Sequence, residues 1–260
     1  MTTLSIDGAP VTPEQLAHAA MVNYGAYTSF RVEAGKVRGL AQHLERLRAS
    51  AVELFGEAVE EDRLRGWMRQ ALGERTEAWL RISLSSPHIS ARDPGWIGAP
   101  SVMIAVSDPP SSLADRPWRL QPQTHQHFRP HLKHAATMDL LLARRAARAA
   151  GFDDALFLTN AGLISEGTTW NIGFWSGDAV IWPQAPMLVG VTQALLEQAV
   201  PARTLPIRLA DLPDLEGAFL CNSSTPAAPI VAIGDHVFAP RADLIDRLHI
   251  AWKATPGFAP

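Results

Sequence analysis

Apolar residues recur every three to four positions along several stretches of the chain and alternate with polar residues in others. The clearest helical stretch is LAQHLERLRASAVELF, whose apolar residues at 40, 44, 47, 51 and 54 form one stripe. Similar spacing predicts helices in TPEQLAHAAMV, EEDRLRGWMRQALGE, HAATMDLLLARRAARAAG, VGVTQALLEQAV and ADLIDRLHIAWKA. Thr12 before Pro13 is typical of a helix start, and Gly73 and Gly151 are typical of helix ends.

Runs of β-branched and aromatic residues, bounded by turn-forming residues, predict strands between these helices. LSIDGAPV contains an Asp-Gly turn, and YTSFRVEAGKVRGL predicts two strands around a turn at 33–36. EAWLRISLSS, SVMIAVSDPP, GAFLCNSS and PIVAIGDHVF each predict one strand. The stretch DDALFLTNAGLISEGTTWNIGFWSGDAVIWP predicts three strands with turns at 160–162 and 176–178. The predicted fold class is therefore α+β, or mixed α/β.

Residues 108–130 are rich in Pro, Ser and Gln and show no sustained periodicity. Such composition is typical of a connecting segment. We therefore predict an N-terminal α/β domain over residues 1–112, an interdomain linker over 113–130, and a C-terminal mixed α/β domain over 131–260.

Composition and charge exclude several classes of protein. The formal net charge of -3 gives no reason to expect binding to nucleic acid. No apolar run approaches the roughly 20 residues that span a bilayer, and the N-terminus lacks the features of a signal peptide. The single cysteine, Cys221, excludes an internal disulfide and favours a reducing compartment. A cytoplasmic location is the prediction.

Of the 23 lysines and arginines, only Lys36, Lys133 and Lys253 are lysines. Lysine, unlike arginine, can lose its proton and act as a nucleophile. Lys133 stands between a proline-bounded segment and an apolar helix. It is either a lysine that extends to solvent along an apolar face or a desolvated amine that forms a Schiff base with a carbonyl.

Four other features allow a structural and a functional interpretation. Glu166 is either solvent-facing or the partner of a cationic ring nitrogen. Gly190-Val191-Thr192 is an ordinary helix start or an anion site, and Arg46 is a solvated cation or a phosphate ligand. The cluster Asn222-Ser223-Ser224-Thr225 is a turn or a hydroxyl-rich rim around an anion.

Four histidines raise the question of a metal site: His125, His127, His131 and His134. Their segment is predicted to be a loop, and no Cys/His or HExxH spacing accompanies them. We therefore predict no metal site.

In chain order, the sequence contains HLERL, a lysine before a helix, E-x4-N, G-V-T, and N-S followed by P-I. In that order these motifs resemble the class IV (fold-type IV) pyridoxal-phosphate enzymes, a family that includes branched-chain aminotransferases, D-amino-acid aminotransferases and aminodeoxychorismate lyases. The resemblance extends from about Tyr24 to Ile230. It implies the two-domain fold of D-amino-acid aminotransferase, a homodimer, and an active site between the domains.

The resemblance also implies a role for each matching residue. Lys133 would hold pyridoxal 5'-phosphate as an internal aldimine and shuttle the α-proton, and Glu166 would pair with the pyridine nitrogen. Arg46, the amides of Val191 and Thr192, the Thr192 hydroxyl and Ser223 would bind the phosphate. Asn171 would hold the Glu166 strand in place. The substrate pocket would include Tyr24, Arg31, Ser224 and Thr225.

Two departures from the family pattern concern the surroundings of the cofactor and the substrate pocket. Branched-chain enzymes have a tyrosine five residues after the lysine, where this chain has Met138, and the stretch from Tyr24 to Arg31 is two residues shorter than usual. The leading hypothesis is an aminotransferase acting on an amino acid or small amine and a keto acid. The alternatives are a lyase of the aminodeoxychorismate type and a non-catalytic dimeric binding protein of the same fold.

Overall fold

The computed structural model describes residues 2–239 and 241–260. The chain divides into two compact units. The first comprises Met1–Pro110, Leu132–Ala136 and Gly257–Pro260, and the second comprises Ser111–His131 and Thr137–Pro256. No helix in the described part of the chain is long and apolar enough to cross a membrane.

Every predicted helix is present among the described residues. The helices are α1 (Pro13–Met21), α2 (Leu40–Phe55), α3 (Glu61–Leu72), α4 (Met138–Ala149), α5 (Val191–Ala199) and α6 (Ala242–Ala254). α1 begins with a capping box between Thr12 and Gln15, and Gly39 and Gly56 bound α2.

The strands are numbered in chain order, and most are short. They are β1 (Thr3–Ile6), β2 (Ala9–Pro10), β3 (Ala26–Val32), β4 (Val37–Arg38), β5 (Ala78–Ser85), β6 (Ser101–Ser107), β7 (Trp118–Thr124), β8 (Asp154–Leu158), β9 (Ile164–Gly167), β10 (Asn171–Ser176), β11 (Ala179–Pro183), β12 (Ala202–Leu205), β13 (Gly217–Asn222), β14 (Thr225–Ile233), β15 (His236–Val237) and β16 (Gly257–Phe258).

The first unit is built on an antiparallel sheet with strand order β2-β1-β6-β5-β3. The alternation in β3 buries Ala26, Thr28, Phe30 and Val32 and leaves the intervening side chains half-buried. The stripe of α2 packs against this face, with Leu40, Leu44 and Leu47 in the same buried cluster as Phe30. Burying each such side chain contributes about 1.5–3 kcal/mol. This packing fixes the face of α2 that meets β3.

The second unit contains a sheet whose path β10-β13-β14-β7-β8-β9 closes on itself, because β9 also pairs with β10. β11 and β12 extend it beyond β10, and β15 pairs with β14. One apolar cluster contains Leu120, Ile172 and Phe174 from its strands. A second contains Trp182 together with Leu196 of α5 and Leu248 of α6. The sheet thus carries buried apolar side chains on both faces.

The observed units differ from the predicted domain division at the proposed linker. Residues 118–124 form β7, which pairs in parallel with β8 on one side and β14 on the other. Both neighbours lie far along the chain, so local composition could not indicate this pairing. Leu113 is also tied to the second unit, since its amide donates to Thr225 Oγ1.

The segment Leu132–Ala136 also differs from the prediction, because it belongs to the first unit. The amide of Tyr27 donates to the carbonyl of Lys133, and the amide of Ala135 donates to the carbonyl of Gly25. A Cβ on Gly25 would lie 2.1 Å from the carbonyl oxygen of Leu84, so only glycine allows this approach. Backbone pairing with the start of β3 therefore places Lys133 in the first unit.

The stretch predicted as three strands forms four. A tight turn interrupts ISEGTTWNIGFW, with the Gly167 amide donating to the Trp170 carbonyl at 2.9 Å. A Cβ on Gly167 would lie 2.1 Å from the Trp170 ring, so the turn requires glycine at this position. The turn makes β9 and β10 antiparallel partners and places Glu166 opposite Asn171.

Candidate active site

Lys133 lies against the half-buried face of β3 in the first unit. Its Nζ is 4.9 Å from the centre of the Tyr27 ring, and the Arg81 guanidinium is 3.6 Å from the same centre. An ammonium over an aromatic face is attracted by the ring quadrupole, which orients the amine. Tyr27 is therefore the aromatic neighbour of Lys133, a contact that the sequence did not predict.

Arg46 is on α2, and its guanidinium binds the hydroxyl of Thr28 on β3. Its Nη2 donates to Thr28 Oγ1 at 2.9 Å, and Thr28 Oγ1 lies 2.7 Å from His43 Nδ1. Since Thr28 Oγ1 accepts from Arg46, its own hydrogen is available to His43 Nδ1. Thr28 and His43 are both buried. A neutral His43 that accepts this hydrogen through Nδ1 completes the chain of hydrogen bonds.

Electrostatics agree with a neutral His43. Burial holds the pKa of His43 well below 6.5, and the positive charges of Arg46 and Lys133 lower it further. Burial also lowers the pKa of Arg46 to about 10, which leaves the guanidinium charged at neutral pH. Its Nε is buried and has no hydrogen-bond partner among the described residues. A desolvated cation with an unused donor is a suitable anion ligand.

Tyr24 and Arg31, expected in the substrate pocket, are also in the first unit. The Tyr24 hydroxyl donates to the carbonyl of Leu54 at 2.8 Å, and its ring makes an edge contact with Phe55. Arg31 donates through Nη2 to the carbonyl of Pro110 at 3.0 Å. Both side chains are thus anchored to their own unit, and their place in a pocket stays a prediction.

In the second unit, Glu166 and Asn171 bind the segment that leads into α5. The amide of Leu188 donates to Glu166 Oε1 at 3.1 Å, and Asn171 Nδ2 donates to the Leu188 carbonyl at 2.7 Å. Asn171 Oδ1 accepts from the Gly190 amide at 3.1 Å. Asn171 therefore positions the start of α5 as well as pairing with the Glu166 strand.

The N-terminus of α5 carries the predicted Val191 and Thr192. Gly190 is the N-cap and, as a glycine, brings no side chain that could cap the amides of Val191 and Thr192. Thr192 is 1% exposed, and its hydroxyl has no hydrogen-bond partner among the described residues. A buried hydroxyl without a partner is costly, and uncapped amides at a helix N-terminus attract anions. This end of α5 has the chemistry of a phosphate site.

The Ser223 cluster follows β13 as a turn held by Asn222. Asn222 Oδ1 accepts from the amides of Ser224 and Thr225 and from Ser224 Oγ. Thr225 is buried, and its hydroxyl accepts from the Leu113 amide at 2.8 Å. Ser223 is half-buried. The structure thus gives Thr225 a structural contact, and the ligand roles of Ser223 and Ser224 stay predictions.

A buried acid that the sequence analysis did not single out supports the Glu166 hairpin. Asp154 is 1% exposed and accepts hydrogen bonds from Thr168 Oγ1 at 2.9 Å and Trp170 Nε1 at 2.9 Å. Arg144 Nη2 lies 2.8 Å from the same carboxylate. Thr168 and Trp170 belong to the turn between β9 and β10, so this network fixes the geometry on which Glu166 depends.

Some site residues that were not predicted could have been found from the sequence pattern. His43 and Arg46 are three residues apart, so they lie on the same face of α2. Thr28 occupies a buried position in the alternation of β3. Tyr27 and Asp154 gave no such signal, because their contacts join distant parts of the chain.

Comparison with known proteins identifies the family. The model of the class IV amino-transferase family matches residues 25–233. A branched-chain-amino-acid aminotransferase-like protein 2 from Arabidopsis thaliana is 24% identical over 213 residues, which cover 74% of this chain and 38% of that protein. This chain thus spans well under half the length of that relative.

Three solved structures show the same fold. The branched-chain aminotransferase of Thermoproteus uzoniensis, solved with norvaline, superposes with a TM-score of 0.81 at 20% identity, covering 97% of this chain and 94% of the other. A hypothetical aminotransferase from Mycobacterium tuberculosis, in a PLP-bound form, gives a TM-score of 0.79 at 19% identity and covers 98% of both chains. A 4-amino-4-deoxychorismate lyase-like protein of Legionella pneumophila gives a TM-score of 0.77 at 20% identity, covering 92% of this chain and 93% of the other. The predicted fold is confirmed, and the chain belongs to the class IV aminotransferase family.

Proposed function

We propose that this chain is a pyridoxal-phosphate-dependent aminotransferase that moves an amino group between an amino acid or small amine and a keto acid. Its relatives in the comparison include aminotransferases, and the Mycobacterium tuberculosis protein was solved with pyridoxal phosphate bound. When bound, pyridoxal phosphate supplies an electron sink for the bond that breaks at the substrate α-carbon.

The buried hydroxyl of Thr192 is the observation that carries the proposal. It lies at an uncapped helix N-terminus, without a protein partner among the described residues. A phosphate would supply the missing acceptor and would be favoured by the positive end of the helix dipole. We assign phosphate binding to the Val191 and Thr192 amides, the Thr192 hydroxyl, Ser223 and the desolvated guanidinium of Arg46.

We assign the other proposed roles to Lys133, Glu166 and Asn171. Lys133 is the residue that would hold the cofactor covalently and carry a proton to and from the substrate α-carbon. Glu166 would keep a ring nitrogen protonated, since its carboxylate is fixed by the Leu188 amide in an orientation set by β9. Asn171 is a positioning residue, because it binds Leu188 and Gly190 through its side chain.

The experiment is to reconstitute the purified protein with pyridoxal phosphate, reduce it with borohydride and map the modified peptide. We expect the label on Lys133, and its loss in Lys133→Arg. Lys36→Arg and Lys253→Arg are matched controls, because they replace the only other lysines and should retain the label. Absence of a cofactor adduct, or an adduct on another lysine, would overturn the proposal.

A product assay separates this reaction from the lyase alternative. An aminotransferase requires a keto-acid acceptor in order to turn over, whereas a lyase of the aminodeoxychorismate type releases pyruvate without one. We expect amino-group transfer that depends on the keto acid. Pyruvate release from the lyase substrate in the absence of an acceptor would assign the chain to the lyase.

We also propose that the protein is a homodimer, as the family resemblance implies. α4 carries three large apolar side chains that are mainly exposed: Met138 (74%), Leu141 (62%) and Leu142 (53%). A contiguous exposed apolar face is typical of a protein interface. Light scattering of Leu141→Glu should give a monomer mass if α4 forms the interface. The control is Leu4→Glu, at an exposed apolar position of β1.

A further inference from the structure

Three potential metal ligands meet in the second unit, apart from the residues assigned to the cofactor. His125 Nε2 lies 3.1 Å from Asp139 Oδ2, and His127 Nδ1 lies 2.7 Å from the same oxygen. All three donor atoms are within 4.8 Å of one another. Both imidazole rings therefore present a nitrogen to the same carboxylate oxygen, and the three donor atoms form one compact cluster.

The fold explains why these residues meet. His125 continues the line of β7, with its amide donating to the Leu158 carbonyl at 2.9 Å, and its ring packs 4.6 Å from that of Phe157. His125 and His127 are two residues apart, so in an extended chain their side chains lie on the same side. Asp139 is in the first turn of α4. The ends of two different elements thus supply the cluster.

The prediction of no metal site was based on the spacing of the histidines alone. The third ligand is a carboxylate 12 residues beyond His127, brought close by the start of α4. The side chains are 28% (His125), 11% (His127) and 35% (Asp139) exposed. The three side chains are thus partly buried but still reach solvent. An ion bound there could take a water molecule as a further ligand.

We propose that His125 Nε2, His127 Nδ1 and Asp139 bind one Zn²⁺ ion, with water as the fourth ligand. Zn²⁺ prefers four ligands, and its bonds of about 2.0–2.2 Å to nitrogen and oxygen place tetrahedral ligands about 3.3 Å apart. The two histidine nitrogens lie 3.1 and 2.7 Å from Asp139 Oδ2, both shorter than that value, so the side chains must move apart by less than about 1 Å to admit the ion. Mg²⁺ and Ca²⁺ prefer oxygen ligands alone, which excludes them as good occupants.

The ion has a structural consequence that follows from the positions of its ligands in the chain. The ligands stand on both sides of residues 128–138, the segment that contains Lys133. Joining them closes this segment into a loop and restricts its conformational freedom. The site is independent of the proposed reaction, since none of its three residues is assigned to the cofactor.

The test is Zn²⁺ binding to the full chain, produced without a histidine tag and stripped with a chelator. Isothermal titration with ZnCl₂ should show saturation near one ion per chain, and Co²⁺ should give the intense visible bands of a tetrahedral site. MgCl₂ should produce no saturable heat. Binding should weaken at acidic pH, because the ligating nitrogens must be unprotonated.

Three variants decide whether the binding belongs to this cluster. His125→Gln, His127→Gln and Asp139→Asn should each weaken Zn²⁺ binding by about 10-fold or more, since loss of an outer-shell partner alone costs about 10–100-fold. His236→Gln replaces a half-buried histidine on β15 and should bind like the parent. Circular dichroism and thermal unfolding of the metal-free proteins identify any variant that fails to fold, and the other two then carry the comparison. Undiminished binding in the folded variants, or no saturable binding by the parent, would overturn the proposal.

Discussion

Glu166 and Asn171 face each other across the pairing of β9 and β10, and both bind Leu188. The carboxylate accepts from the Leu188 amide, and the carboxamide donates to the Leu188 carbonyl. Asn171 also accepts from the Gly190 amide, directly before α5. One hairpin therefore positions both the acid proposed for the ring nitrogen and the helix end proposed for the phosphate.

Replacing Glu166 with glutamine should separate its chemical role from its structural one. The amide oxygen of Glu166→Gln can still accept from Leu188, so the free energy of unfolding should change by less than about 1 kcal/mol. A neutral amide cannot keep a ring nitrogen protonated. We expect removal of the substrate α-proton, measured by deuterium exchange, to slow by about 100-fold or more.

Glu45→Gln is the matched control for this prediction. Glu45 is an exposed glutamate of α2 that pairs with Arg48, and its removal should leave exchange unchanged. If Glu166→Gln exchanges the α-proton as fast as the parent, Glu166 does not face the cofactor.

Gly190→Ala should disturb the start of α5 through Asn171. A Cβ at Gly190 would lie 2.2 Å from Asn171 Oδ1, so either the side chain or the helix start must move. We expect the apparent Kd for pyridoxal phosphate to rise by about tenfold or more, because the hydrogen bond and the placement of the uncapped amides are both lost. Equilibrium dialysis of the reconstituted protein measures it.

Gly66→Ala is the corresponding control, since a Cβ at that position meets nothing within 4 Å. Gly66 lies inside α3, where alanine is favoured over glycine by about 0.5–1 kcal/mol. This variant should be slightly more stable than the parent and should bind the cofactor equally well. Equal cofactor affinity in both glycine variants would contradict the positioning role of Asn171.

Sequence patterns predicted the elements that are determined by residues close together in the chain. The stripe of α2 and the glycines at its two ends define the helix without reference to the rest of the chain, and its observed bounds match the predicted stretch. The break at Gly167 was missed because the residues around it have strand propensity. Its cause is the indole of Trp170, held by Asp154, which lies 16 residues earlier in the sequence.

The same distinction applies to the site. The motif around Thr192 could be recognised because a helix start is a local feature, and the structure adds that its hydroxyl is buried without a partner among the described residues. The contact between Tyr27 and Lys133 could not be predicted, since it depends on backbone pairing between segments more than 100 residues apart. β7 was missed for the same reason, because its partners β8 and β14 are distant in sequence.

Thr28→Val tests whether the Thr28 hydroxyl supports Arg46. Valine has nearly the same shape but leaves His43 Nδ1 and Arg46 Nη2 without the contact they share. Leaving such buried groups unsatisfied should lower the free energy of unfolding by about 1–3 kcal/mol. Cofactor affinity should also fall, because Arg46 loses its orientation.

Thr28→Ser keeps the hydroxyl and should restore affinity even if the smaller side chain costs some stability. Failure of serine to restore it would assign the effect to packing alone.

Acid should destabilise the protein through His43. Burial holds the pKa of the folded-state imidazole well below 6.5, with Arg46 and Lys133 adding to the shift, whereas the unfolded chain binds a proton near pH 6.5. Below that pH the unfolded state binds more protons than the folded state at this residue. The contribution of His43 therefore makes the free energy of unfolding fall with decreasing pH, by up to about 1.4 kcal/mol per pH unit. Above about pH 8 this contribution should be constant, because the imidazole is then neutral in both states.

Urea unfolding of the parent and of His43→Gln at pH 7, 6 and 5 measures this contribution. Glutamine does not titrate, so the variant should lose less stability between pH 7 and pH 5 than the parent, whatever its stability at pH 7. His236→Gln, which replaces a half-buried histidine, should retain most of the parent's pH dependence. The comparison rests on the change with pH, because the loss of the bond to Thr28 lowers the stability of His43→Gln at every pH. Parallel pH profiles for the parent and His43→Gln would show that His43 titrates alike in the folded and unfolded states, contrary to the lowered pKa that burial and the charges of Arg46 and Lys133 produce.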